Sequence, residues 1–87
     1  MAQLQRVHRQ SIKTDNRGRL AFLGSAIRTI RLEKELSQEA LADAADIDRS
    51  HMGKIERGER NVSFLNIARV ADALDTNIAA IMMRAGL

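Results

Sequence analysis

A chain of 87 residues, 45% apolar and 29% charged, has the length and balance of one small folded domain, which excludes a two-domain enzyme and a disordered chain. With no Cys, disulfides, thiolate zinc sites and a cysteine nucleophile are excluded, and a reducing cytoplasm is the expected compartment. The formal charge of +3 is unevenly placed: residues 1–19 hold Arg6, Arg9, Lys13, Arg17 and Arg19 against Asp15, a net of +4, while the remaining nine cations face ten carboxylates.

Phe22 and Phe64 are the only aromatics, so the core must be built from Leu, Ile, Ala and Met, which favours packed helices over strands. Residues 76–83, the longest uncharged stretch near the end, fall far short of the ~20 apolar residues of a membrane span. Residues 1–10 lack the apolar centre of a secretory signal, so neither a membrane nor an export role is expected.

In chain order, residues 1–18 read as a basic N-terminal arm, partly ordered or flexible, that ends in the turn-prone run Asp15-Asn16-Arg17-Gly18. Within it Leu4, Val7 and Ile12 could form a short helix packing on the body. Residues 19–87 carry the periodic pattern. Leu20, Leu23, Ile27 and Ile30 recur at three and four residues and predict a first helix over about residues 19–34. Ser37 caps a second over 38–45, with Leu41 and the small Ala42, Ala44 and Ala45.

Asp48 caps a third helix over 49–57, and Gly58 supplies the left-handed residue that closes it. Only Asp46, Ile47 and the cap separate the second and third helices, so they must meet at a sharp angle. Ser63 caps a fourth helix with Phe64, Ile67, Ala68, Ala71 and Leu74 on one face, and Asn77 caps a fifth with Ile78, Ile81, Met82 and Ala85. No run has the two-residue period of a strand, so the expected class is all-α, five helices and an arm.

Two short helices joined by a tight turn, the second polar and cationic near its start, match the helix-turn-helix that presents one helix to the DNA major groove. Over residues 38–57 the buried positions of that motif fall on Leu41, Ala45, Ile47, Met52 and Ile55, and the small Ala42 sits where the helices cross. At ~100° per residue the third helix turns Met52 and Ile55 inward and Ser50, Gly53, Lys54 and Arg57 outward, with Arg49 and His51 on the flanks. Arg49 can present two donors to guanine O6 and N7, a contact worth roughly 1 to 3 kcal/mol of discrimination. Gly53, having no side chain, would let the groove come close.

Gln38 opens the second helix, whose amino-terminal amides suit a phosphate oxygen, and His51, Arg57, Arg60 and Asn61 are further candidates for the DNA backbone. Asp48 and Glu59 bring negative charge to the same surface and the helical body is near neutral in total, so the affinity of one domain should be modest and salt-sensitive. Two distant His residues without Cys make neither a closed metal site nor a recognisable triad. No cofactor, metal or enzymatic activity is expected.

In the segments Leu23-Gly24-x-x-Ile27-Arg28-x-x-Arg31, Leu36-Ser37-Gln38-Glu39-x-Leu41-Ala42 and Ile55-Glu56-Arg57-Gly58 the chain resembles the Cro/cI-like (XRE) helix-turn-helix regulators, and is similar to the short restriction-modification controller proteins among them. The resemblance spans residues 20 to about 82. It departs at Asp46, where a Gly is usual, at Val62, where a Pro is frequent, and at Asp75, where a Gly is common. Asp tolerates left-handed geometry better than most residues, so the fold survives these departures.

The resemblance implies that Arg49, Ser50 and Lys54 touch base edges, that Gln38 clamps the backbone, and that Arg31 and Glu56 form an ion pair bracing the recognition helix. It implies dimerisation through the last helix, where Ile78, Ile81, Met82 and Met83 are read either as core or as a self-association surface; adjacent residues point ~100° apart, so one face cannot bury all four. The expected function is a homodimeric, autoregulatory transcriptional regulator of a near-palindromic operator on double-stranded DNA. The arm either stays solvated or follows the duplex. The rivals are an antitoxin with a toxin partner and a helix-turn-helix protein-interaction module; RNA polymerase is a further expected contact.

Overall fold

Each helix begins where a side chain or turn takes up amides that its own ladder leaves unpaired. The computed structural model describes Asp15 and residues 17–87; residues 1–14 and Asn16, most of the arm read from sequence, lie outside the described residues. Five helices follow in order: α1 Arg19–Glu33, α2 Gln38–Ala45, α3 Arg49–Glu56, α4 Phe64–Ala73 and α5 Ile78–Ala85. Among the described residues there is no strand. The Asp15 carboxylate accepts from the Leu20 amide at the head of α1. Ser37 Oγ accepts from the Ala40 amide at 3.0 Å, Ser63 Oγ from Asn66 at 3.1 Å and Asn77 Oδ1 from Ala80 at 2.8 Å.

All five helices end in the same turn. A left-handed residue stands at the cap, as Asp46 and Gly86 do, or directly after it, and two amides fold back onto carbonyls of the last turn. At α2 the Ile47 amide donates to Ala42 O at 2.9 Å and the Asp46 amide to Asp43 O at 3.2 Å. The left-handed residues are Glu35 (φ 59°), Asp46 (56°), Gly58 (73°), Asp75 (55°) and Gly86 (78°). Asp46 and Asp75 therefore hold the geometry that glycine would hold more easily. Glu35 has no sequence signature for it and is fixed by the Leu36 amide, which donates to Arg31 O at 3.1 Å.

Helix α1 packs against α3 and α5, α2 against α3 and α4, and α4 against α5. The core between them holds Ile27, Leu41, Met52, Ile55, Val70, Leu74 and Ile81, all almost wholly buried. Ala42 is fully buried, and Ala45 and Ile47 are buried around it, as the spacing of the motif requires.

The face expected for α4 needs correction. Phe64 is 72% exposed and Val70 is fully buried, so the inward stripe is Ile67, Val70, Ala71 and Leu74. That stripe follows the helical spacing of three and four residues, whereas Phe64 stands in the first turn, outside the core.

Helix α1 meets the end of α3 without side chains between them. A Cβ on Gly24 would overlap the Ile55 carbonyl oxygen and lie 2.5 Å from that of Glu56, and one on Gly58 would come within 2.6 Å of the Ala21 Cα. Backbone touches backbone, so the height of α3 above α1 is set by missing methyl groups. Gly24→Ala should therefore lower stability by about 1–3 kcal/mol in urea unfolding, despite the better helix propensity of alanine. Glu35→Gly should raise it, by up to about 1 kcal/mol, because glycine adopts the left-handed turn without penalty.

Candidate nucleic-acid interface

The third helix is held from both sides and capped at its start. Asp48 Oδ2 accepts from the Ser50 amide at 3.1 Å, the His51 amide at 3.4 Å and the Ser50 hydroxyl at 2.6 Å. These bonds, the hydroxyl foremost, hold the Asp48 carboxyl below the usual carboxylate range. The sequence reading gave Asp48 this capping role, and the cap also fixes the rotamer of a residue it proposed for base contact.

Behind α3 lies a buried ion pair. Arg31 Nε donates to Glu56 Oε2 at 2.7 Å and Nη2 to Oε1 at 3.0 Å, a two-pronged contact between side chains 8% and 2% exposed. Arg31 Nη1 donates to Leu36 O at 2.9 Å, and Gln38 Nε2 to Glu56 Oε1 at 3.0 Å. One carboxylate thus ties together the end of α3, α1 and the first residue of α2.

The residues read as outward differ in exposure. Arg49 and Ser50 are exposed, Lys54 is half-buried, and Arg57, Arg60 and Asn61 are exposed beyond the end of α3. Gly53, expected to lie open to the groove, is buried: an added Cβ would stand 3.1 Å from Arg57 Nη1 and 3.3 Å from Gln38 Oε1. The two side chains cross over it because it has none. His51 is half-buried and its Nε2 is enclosed without a hydrogen-bond partner, which withdraws that atom from any phosphate.

Two of the arginines arrive already paired. Arg49 Nη1 lies 3.5 Å from Glu39 Oε2, and Arg57 grips Glu59 through Nε at 2.8 Å and Nη2 at 3.2 Å. The Arg57 guanidinium holds the Glu59 carboxyl below its ordinary range, and the carboxylate raises Arg57 in turn. Glu59 was legible as a charge near the surface. Glu39 was not, because its contact with Arg49 crosses the turn between two helices.

In α5, Ile81 is fully buried in the chain's own core, so it is no part of a surface. Ile78 and Met82 are half-buried against that core and Met83 is 81% exposed. Arg84 spans from α5 to α1, donating to Glu33 at 2.6 and 3.1 Å. A shallow groove between α1 and α5, lined by Phe22, Ser25, Ala26, Thr29, Arg84 and Ala85, shares no residue with α3. Among the described residues no three His, Cys, Asp or Glu gather as a metal site, and no helix is long and apolar enough to cross a membrane.

Two predictions follow from the supports of α3. Arg31→Met strands the buried Glu56 charge and should cost about 3–5 kcal/mol in urea unfolding, much of which the paired substitution Arg31→Met with Glu56→Leu should restore. Acid should weaken the α3 cap. Since folding depresses the Asp48 carboxyl, its contribution is complete above about pH 3.9 and is lost as the pH falls through the depressed value. Asp48→Asn, still a cap, should flatten that part of the thermal-midpoint profile.

Comparison with known proteins agrees with this geometry. A model of the Helix-turn-helix family matches residues 27–81, from the middle of α1 into α5. Control protein C.BamHI of Bacillus amyloliquefaciens is 48% identical over 60 residues, covering 68% of this chain and 73% of the relative. The solved restriction-modification controller protein C.AhdI of Aeromonas hydrophila superposes with a TM-score of 0.70 at 45% identity, over 71% of this chain and 94% of that one. Controller protein C.Esp1396I, solved as a tetramer in complex with its natural 35-base-pair operator, superposes with a TM-score of 0.71 at 28% identity over 77% and 88%. The chain belongs to the helix-turn-helix family, in the group that holds these controller proteins.

Proposed function

We propose that this chain is a sequence-specific DNA-binding regulator of transcription that occupies a near-palindromic operator as a dimer and controls its own operon. The observation that carries the reading is α3 itself: braced from behind by Arg31 and Glu56, it leaves Arg49 and Ser50 exposed and Lys54 half-buried, with Gln38 and Arg57 meeting over Gly53 beside them and Arg60 and Asn61 exposed just beyond. The operator complex of C.Esp1396I supports it, since most of this chain superposes on that relative.

In this reading Arg49 and Lys54 take base edges and Ser50 hydrogen-bonds beside them. The Ser50 hydroxyl already donates to Asp48, so toward DNA it acts as an acceptor, which suits an amino group of adenine or cytosine. Gln38, Arg57, Arg60 and Asn61 hold phosphates and fix the register. Of the residues read for the backbone, His51 contributes least, its Nε2 being enclosed. The protein acts by occupancy, in the compartment that holds the DNA, by covering a promoter or by touching RNA polymerase beside one.

Dimerisation is assigned to the exposed side of α5, with Met83 foremost and Ile78 and Met82 at its margin. A two-fold dimer sets its two α3 helices into successive major grooves ~34 Å apart.

Selection of duplexes from random DNA, at a fixed stated salt, should enrich a motif with two-fold symmetry; the absence of any such motif would contradict the reading. Arg49→Ala should then lose about tenfold or more on the selected duplex, and lose discrimination at one base pair in each half-site. Met83→Glu should leave the helical circular dichroism unchanged while shifting sedimentation toward the monomer and weakening operator binding.

A further inference from the structure

The charges on and around α3 nearly cancel. Arg49 and Lys54 in α3, Arg57 and Arg60 just beyond it, Asp48 and Glu59 at its two ends and Glu39 in α2 make four cations against three carboxylates, a net of +1. Two of the cations are engaged: Arg57 by Glu59 through two bonds of 2.8 and 3.2 Å, Arg49 by Glu39 at 3.5 Å. Lys54 and Arg60 have no ion-pair partner among the described residues. All four side chains in the two pairs are more than half exposed, so a phosphate can reach each guanidinium.

We infer that Glu39 and Glu59 are gating carboxylates, which occupy Arg49 and Arg57 in the free protein and are exchanged for DNA on binding. The inference rests on the DNA-binding reading above. Its physical content lies in the ion balance. A lone Arg that meets a phosphate releases about one counterion from the duplex, adding about 0.9 to the slope of log affinity against log salt. When an Arg leaves a carboxylate to do so, the freed carboxylate takes a cation from solution, and that release is cancelled.

The gate therefore makes attraction to arbitrary DNA weaker, and less steep with salt, than four unpaired cations would make it. Stable occupancy then requires two subunits on one duplex, so the operator responds to protein concentration more steeply than a single strongly basic domain would.

The test uses Glu39→Gln, Glu59→Gln and the double variant in the full chain, since glutamine keeps the shape and removes the charge. Affinity is measured by fluorescence anisotropy across a salt series on two probes, a mixed-sequence duplex and the duplex selected by the wild type. Each substitution should tighten binding to both probes by up to about fivefold at low salt, the ceiling expected of an exposed pair. Each should also steepen the salt slope by about 0.9, and the double variant by about twice that.

If Glu59→Gln weakens binding instead, the carboxylate positions Arg57 rather than gates it, and the inference is overturned. Unchanged affinity and slope overturn it equally. A wild type that prefers neither probe overturns the DNA-binding reading itself, a separate result that the variants are not needed to obtain.

Discussion

The whole interface hangs on one buried carboxylate. Glu56 ends α3, yet its two oxygens take Arg31 from α1 and Gln38 from α2, and Arg31 reaches on to the Leu36 carbonyl in the connection between them. A short helix of eight residues is marginal alone. It becomes a fixed object because its far end is bonded to both of its neighbours and its near end is capped by Asp48. The absent side chains matter as much as the present ones: Gly24 lets the backbones of α1 and α3 touch, and Gly53 lets Gln38 and Arg57 lie across the outer surface. Polar bonding fixes the orientation of α3 and steric absence fixes its distance.

Much of this was legible from residue types and spacing. The four caps Ser37, Asp48, Ser63 and Asn77 stand where a small polar residue precedes an apolar period, and each accepts the bond its position implies. The turn between α2 and α3 was legible because Ala42, Ala45, Ile47, Met52 and Ile55 all had to be inside for the two helices to cross.

What could not be read depends on relations across space. Nothing local marks Glu35 as left-handed, since the turn is imposed by amides folding back from the next element. Phe64 looks like core by composition, but it opens α4 and stands exposed there. Gly53 counts as outward by helical angle, and only the side chains of Gln38 and Arg57 show that it is covered. Arg49 with Glu39 and Arg84 with Glu33 pair across the turn and across 51 residues, distances no periodicity encodes. Ile81 belonged to the core, because α5 buries one row and leaves Met83 outside.

The account makes α3 a reading head whose charge is held in check by its own surroundings, and its most direct test is a map of where DNA touches. Backbone amide shifts recorded by NMR during titration with a selected duplex should move most at residues 49–54, then at Gln38 and residues 57–61, with Val70 and Leu74 scarcely affected. Shifts concentrated on α4 or on the groove between α1 and α5, with α3 unmoved, would contradict it.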